Sequence, residues 1–297
     1  MNDASSIKRK RNDENRQSQA GTGLARRTKE DVRVIAITSG KGGVGKTNIS
    51  ANLAYSMSHA GKRVLVLDAD MGLANLDVIL GLTPKYNINH VLLGEKSLSE
   101  VIVPGPGNMK ILPSASGIAA LAELSRGQKL YLFNELNDLN EEFDFMLIDT
   151  AAGITANVMY FNMAAKEIII VISPEPTSLT DAYALIKLLY QGHDEKRIML
   201  LANMVSNAEE AMQVYQKVGR ATEHFLGLKV EYLGYILRDD KVGDAVRRQK
   251  PFTEIYPQAR ASQCINAIAK KIYSDTNCIY NKGSIKFFSD AMFHKDR

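Results

Sequence analysis

The stretch Gly40-Lys41-Gly42-Gly43-Val44-Gly45-Lys46-Thr47 constrains this chain more than any other. It follows an apolar, β-branched run over 32–38 and leads into the amphipathic run Asn48-Ile49-Ser50-Ala51-Asn52-Leu53-Ala54. The order is strand, glycine loop, helix, which is the setting in which the pattern G-x-x-x-x-G-K-[ST] has a mechanism. Glycines let backbone N–H groups turn inward around phosphate oxygens, and the following helix presents its positive end to the same anion. Lys46 is placed to reach the β- and γ-phosphates of a nucleotide, and the Thr47 hydroxyl to hold Mg²⁺. Lys41 is a second lysine, directly after the first glycine, and a simple phosphate cradle has no need of it.

A phosphate loop of this kind requires a parallel sheet behind it, and the rest of the pattern supplies one. Apolar, β-rich runs occur over 32–38, 63–67, 109–112, 145–148, 167–172, 198–202 and 231–237. Helical periodicity covers 47–60, 118–139, 155–165, 177–190, 209–225, 240–249 and 259–273. Runs such as Ile168-Ile169-Ile170-Val171-Ile172 are apolar on both faces, as strands buried between two helix layers must be. The alternation predicts a doubly wound, mainly parallel α/β sheet with helices on both faces, carrying its ligand at the C-terminal ends of the strands.

Two acidic stretches sit where that rule wants them. Leu67-Asp68-Ala69-Asp70-Met71-Gly72 closes the second strand, and Leu147-Ile148-Asp149-Thr150-Ala151-Ala152-Gly153 closes a fully apolar one. Asp149 after a buried strand and before a glycine turn has the form of a Walker B and switch element. It is expected to hold a water on Mg²⁺, with Gly153 free to move when a γ-phosphate is present. Asp70 is the candidate to orient the attacking water, and Asp68 is a supporting acid of the magnesium shell.

Composition adds limits. With 45% hydrophobic and 24% charged residues the 297-residue chain reads as an ordinary soluble protein, and the net charge of +4 is modest. Cys264 and Cys278 do not have the number or spacing of a disulfide framework or a zinc site, and no apolar run reaches the roughly 20 residues of a membrane span. A cytoplasmic protein is expected. Residues 1–31 read as a basic flexible arm, 32–276 as the nucleotide domain, and 277–297 as a tail. On a helical wheel the tail groups Ile285, Phe288, Ala291 and Met292, flanked by Phe287 and Phe293 and by positive charge, the pattern of a helix lying on a membrane surface.

Together, Lys41-Gly42-Gly43-Val44-Gly45-Lys46-Thr47, Asp68-Ala69-Asp70-Met71-Gly72-Leu73-Ala74-Asn75-Leu76-Asp77 and Asp149-Thr150-Ala151-Ala152-Gly153 resemble the deviant Walker A ATPases of the MinD/ParA class. Within that class the segments 80–85, 113–117, 175–187 and 201–204 are similar to the flagellar-number regulators FlhG and FleN. The resemblance spans about Val32 to Phe293 and implies a MinD-like ATPase that uses ATP, ADP and Mg²⁺. It implies that Lys41 crosses a two-fold axis to the phosphates of the other subunit, so that ATP drives homodimer formation. It further implies that Asp181 holds Lys41 at home otherwise, that Glu175 lies near the nucleotide, and that Asn203 and Asp239 line the base. By the same resemblance the tail, through Ile285, Phe287, Phe288, Met292 and Phe293, takes the dimer reversibly to an anionic membrane. The implied partners are an FlhF-like GTPase and, in FleN-like cases, a FleQ-like transcription activator; direct specific DNA binding is not expected. The arm departs from the family's GTPase-stimulating motif: Gln19-Ala20-Gly21-Thr22-Gly23-Leu24-Ala25-Arg26 lacks its acidic residue and its spacing. A division-site or partition ATPase shares the same switch and stands as the alternative.

Overall fold

Strands whose residues are apolar on both faces can be buried only between two layers, and such strands build the sheet. The computed structural model describes residues 32–71, 74–114, 124–139, 141–191 and 197–275. In chain order these form β1 (Arg33–Ser39), α1 (Lys46–His59), β2 (Val64–Ala69), the short helices α2 (Leu76–Ile79), α3 (Ile88–Leu92) and α4 (Leu98–Val101), then β3 (Val103–Pro104), β4 (Lys110–Leu112), α5 (Arg126–Asp138) and β5 (Phe145–Ala152). They continue with α6 (Ala156–Ala164), β6 (Glu167–Ile172), α7 (Pro176–Gln191), β7 (Arg197–Val205), α8 (Ala208–Leu226), β8 (Glu231–Leu237), α9 (Asp240–Arg247), α10 (Phe252–Ile255) and α11 (Arg260–Ser274).

The strands lie in the order β3-β4-β2-β5-β1-β6-β7-β8. Every pairing is parallel except β3 against β4. The antiparallel β3 was not legible in the sequence because it is two residues long. Its Pro104 donates nothing to a ladder and is tolerated there because β3 is an edge strand. All six residues of β2 and of β6 are buried. One face of the sheet packs α1 and α11, with Leu53, Met57, Ile265 and Ile268 against Ile35, Ile37 and Ile169. The other face packs α5 and α6 on one side and α7 and α8 on the other. Each such fully buried aliphatic side chain contributes about 1.5–3 kcal/mol.

Two boundaries move from their expected places. β5 runs on to Ala152 instead of stopping at residue 148, because its pairing with β1 continues through Ile37↔Asp149 to Ser39↔Ala152. The helix expected over 118–139 is described from Arg126, where Ser125 accepts from the Gln128 N–H and Gln128 reaches back to the Ser125 N–H. Residues 115–123 and the tail residues Ile285, Phe287, Phe288, Met292 and Phe293 lie outside the described residues.

At the end of the sheet away from the glycine loop, the first residues of four strands are tied by ions. Arg33 makes a two-pronged bond to Glu167, at 2.8 and 2.7 Å, and donates to the carbonyl of Ile272 at 2.6 Å. Arg197 holds Glu231 in the same way at 2.8 and 2.7 Å, and reaches Asp275 at 2.7 Å and Glu167 at 3.4 Å. The cluster fixes the end of α11 to the start of the central strands.

Candidate nucleotide site

The glycine loop leaves the C-terminal end of β1 and enters α1 through Gly45, whose φ of +91° is a left-handed conformation costly to any side chain. A Cβ there would also stand 2.6 Å from the Asn203 side-chain nitrogen. Gly40 is required for a different reason: a Cβ would meet the Asp181 carbonyl oxygen at 2.3 Å. No side chain caps α1, whereas α5, α6, α8 and α9 begin on Ser125, Thr155, Asn207 and Asp239. The leading N–H groups of α1 are thus left for an anion, at the positive end of a 14-residue helix.

The two loop lysines occupy different surroundings. Lys46 is only 8% exposed and donates to Ser39 Oγ at 2.9 Å; burial lowers its pKa against the pull of Asp149 and Asp70. Ser39 Oγ in turn donates to the carbonyl of Lys41 at 2.6 Å, so one hydroxyl joins both lysine positions. Lys41 is exposed, and its ammonium pairs with Glu175 and donates to Thr177 Oγ1 at 3.0 Å. This corrects the expectation for Asp181, to which Lys41 is not bonded. Asp181 lies along α7, and it is its backbone that crowds Gly40.

The acidic residues converge behind the loop. Asp149 is fully buried and accepts from Ser50 Oγ at 2.8 Å and from the Thr47 hydroxyl. Burial pushes its pKa up to about 6, opposed by those two hydroxyls and by Lys46. Asp68 faces Asp149 across the β2–β5 ladder and is also buried. Burial and the neighbouring Asp149 hold its pKa well above the usual carboxylate range. Its two oxygens accept the N–H groups of Asp70, at 3.1 Å, and of Leu76, at 3.3 Å. Asp68 therefore shapes the turn that carries Asp70. Asp70 follows β2 directly and is half-buried, near enough to Lys46 to act on its charge. Gly153, with φ +94°, donates its N–H to the Ser39 carbonyl at 2.9 Å, bringing the end of β5 onto the start of the loop.

Asn203 donates its side-chain amide to the Val44 carbonyl at 2.7 Å. It sits at an irregularity of β7, where the register with β8 slips and Met204 takes a φ of +59°. Such bulges re-aim a side chain, and here the amide is turned onto the phosphate loop. Asp239 has a structural role in addition to the expected one: one carboxylate oxygen accepts from Lys241 N–H at 3.0 Å and the other from Ala261 N–H at 3.2 Å, so it caps α9 and ties it to the first turn of α11. Partial burial pushes its pKa up, but the backbone N–H groups and Arg260 outweigh this and bring it below the ordinary value.

Ser39, Ser50 and Thr177 were not singled out in the sequence. Ser39 precedes the first glycine, and Ser50 follows Lys46 by one helical turn, so both had a positional signal. Thr177 had none, because it is brought to Lys41 by the fold. A hydroxyl, a buried carboxylate beside it and a phosphate cradle make a fitting donor set for Mg²⁺, a hard cation that takes one or two protein oxygens together with phosphate oxygens.

The matches to known proteins agree with this geometry. Residues 32–201 match the AAA domain family AAA_31. The antiactivator FleN of Pseudomonas aeruginosa is 42% identical over 261 residues, covering 88% of this chain and 93% of that protein. The flagellum site-determining protein YlxH of Helicobacter pylori is 40% identical over 247 residues, covering 83% of each. The chain belongs to the FlhG/FleN group of MinD/ParA-type P-loop ATPases. A solved structure of the septum site-determining protein MinD with Mg-ADP from Pyrococcus horikoshii superposes with a TM-score of 0.70 at 25% identity, over 82% of this chain and 96% of that one. As a member of this ATPase group, the chain uses a nucleotide and Mg²⁺ and hydrolyses ATP.

Proposed function

We propose that this FlhG/FleN-type ATPase is an ATP-timed dimerising switch that restrains flagellar number. The carrying observation is the contrast between its two loop lysines. Lys46 is buried at the phosphate cradle, whereas Lys41 is exposed at its lip and is free of the buried carboxylates. An ammonium in that position can reach phosphates held by a second copy. Such a contact is favourable only opposite the added charge of ATP, so nucleotide state biases association.

In this reading the α1 N–H groups and Lys46 bind and orient the phosphates, and Asn203 keeps the loop in shape. Thr47 and Asp149 hold the Mg²⁺ that neutralises charge on the phosphates. Asp70 accepts the hydrogen bond that places the attacking water. Pairing of two copies doubles the tails and raises membrane avidity, and hydrolysis releases both. In this reading the downstream partners are an FlhF-like GTPase and a FleQ-like transcription activator; the relative FleN is by name an antiactivator. Non-specific DNA binding is disfavoured because Arg247 and Arg248 both pair with Asp244, at 3.6 and 3.0 Å, which thins the basic face of α9.

The test is Asp70→Ala. The variant keeps ATP binding, loses turnover and accumulates as a dimer in light scattering. Hydrolysis at the wild-type rate would remove Asp70 from its role. Cells carrying the substitution on the chromosome are expected to have altered flagellar counts by electron microscopy, and normal flagella with a segregation or division defect would overturn the proposed flagellar output in favour of a division-site or partition one.

A further inference from the structure

Helices α2 and α9 end in the same way, and their ends are packed against each other. After α2, Gly81, with φ +62°, donates to the Val78 carbonyl at 3.2 Å, and Leu82 donates to that of Asp77 at 2.9 Å. After α9, Gln249, with φ +54°, donates to the Val246 carbonyl at 3.0 Å, and Lys250 donates to that of Ala245 at 3.2 Å. Such a closure needs a left-handed residue, and glycine is the usual one because it has no Cβ to strain. One helix has the glycine. The other carries a glutamine at a conformational cost, and its side chain has a use. Gln249 Nε2 donates to the Val78 carbonyl at 3.0 Å. A Cβ on Gly81 would stand 3.2 Å from the Gln249 carbonyl oxygen and 3.3 Å from its Cβ, so the two helix ends also meet through their backbones.

We propose that Gln249 is a positioning residue for ATP turnover: it braces α2 against α9 and α1 and so sets where Asp70 stands relative to the phosphate loop. The inference rests on the water-placing reading of Asp70 given above and adds the residue that fixes its register. Two mounts carry the argument. Behind Gln249, Thr253 donates through its N–H and its hydroxyl to Asn52 Oδ1, at 3.0 and 2.9 Å, and Asn52 is a buried residue of α1. Asn52 Nδ2 in turn donates to the carbonyl of Asn48, the residue after Thr47, at 2.8 Å. Gln249 is thus fixed to the helix that receives the phosphates. On the other side, α2 is only four residues long, and its first N–H, on Leu76, is bonded to the Asp68 carboxylate that also holds the Asp70 N–H. A shift of α2 therefore passes through Asp68 to Asp70. A left-handed residue other than glycine persists where the surroundings hold it, and such strain gathers at functional segments. ATP itself is held by α1 and Lys46, so loss of the brace acts on turnover and not on binding.

Gln249→Glu keeps the shape of the side chain and removes the donor. At saturating MgATP the full-length variant turns over about three- to ten-fold more slowly than wild type, the range that one lost hydrogen bond commands, while ATP affinity by calorimetry is unchanged. Gln249→Gly relieves the left-handed strain, so it melts about 2–4 °C above Gln249→Ala and is nevertheless as slow. Gln249→Lys, which restores a donor, recovers part of the rate. Hydrogen–deuterium exchange without nucleotide reads the brace itself: amides over 76–82 exchange about three- to ten-fold faster in Gln249→Glu than in wild type. Unchanged exchange over 76–82 overturns the brace whatever the rate does. Faster exchange with a wild-type rate, in a protein whose Asp70→Ala variant is inactive, overturns the role in turnover. If Asp70→Ala still hydrolyses ATP, the reading of Asp70 fails and the role in turnover falls with it.

Discussion

Ser50 Oγ on the first helix donates to Asp149 Oδ1 at the end of the central strand, 2.8 Å away and fully buried. The bond locks the helix after the glycine loop to Asp149, and it is one of the few interactions that favour the charge there. Burial dominates, so the group is held up at about 6 from an ordinary 3.8. The consequence for stability has a definite sign. Below pH 3.8 both folded and unfolded chains carry the proton and nothing is lost. Between 3.8 and 6 the unfolded chain ionises first, and above 6 the full penalty of a buried charge stands.

Replacing that charge therefore stabilises the metal-free fold while disabling the site. The shift corresponds to about 3 kcal/mol, and a lost hydroxyl bond returns about 1 kcal/mol of it. In chelator, Asp149→Asn is expected to unfold at a higher temperature than wild type above pH 6, by roughly 1–2 kcal/mol, with the gap closing toward pH 4. MgATP, which stabilises the wild type, is expected to stabilise the variant less. A variant less stable than wild type at pH 7.5 in chelator contradicts the account.

Gly45→Ala meets two obstacles at once: a φ of +91° and a side-chain nitrogen of Asn203 at 2.6 Å. The strain costs about 1–3 kcal/mol. Because relief requires Asn203 to release the Val44 carbonyl, the loss appears in the site. ATP affinity by calorimetry is expected to fall by about ten-fold or more, with a lowered thermal midpoint. Full affinity would show that the loop shape is not set there.

Asp239 caps two helices with one carboxylate, so Asp239→Ala costs about 1–2 kcal/mol on denaturant unfolding. Its folded pKa lies below 3.8, so the stabilisation is complete above that value and disappears as pH falls through the lower folded one. Asp239→Asn is expected to retain part of it. ATP affinity by calorimetry separates the cap from a base-contacting role, since a cap alone leaves the affinity of the folded protein unchanged.

Removing one member of the ionic cluster at the strand starts takes away the two-pronged bond but leaves Arg33 with the Ile272 carbonyl and the Phe145 ring. Glu167→Ala is expected to lower stability by about 1–3 kcal/mol by denaturant titration. Nucleotide affinity should be nearly unchanged in the fraction that stays folded, because the cluster lies at the end of the sheet opposite the loop. A loss under about 1 kcal/mol would mean that the remaining contacts of Arg33 suffice.

The phosphate loop, Asp70, Asp149 and the two helix layers were legible because each has a local signature: spacing, an apolar strand, a turn. What was hidden depends on where the chain folds back. Glu175 and Asp181 are six residues apart on one stretch, and nothing in that stretch tells which of them meets Lys41 more than 130 residues earlier. Asp239 follows a strand at the ligand end of the sheet, as site acids do, but a cap and a site acid look alike until the second helix, at Ala261, is in place. The bulge at Met204 likewise leaves no mark, because its left-handed φ falls on a residue that seldom adopts it.

The chain beyond Asp275 departs from a residue bonded to Arg197, and the turn of α11 before it is bonded to Arg33. Both arginines are first residues of strands in the sheet interior, β1 and β7. The last turn of α11 and Asp275 after it are therefore tied to the starts of two interior strands through these arginines, in addition to the apolar packing of Ile265, Ile268 and Ile272 on the sheet.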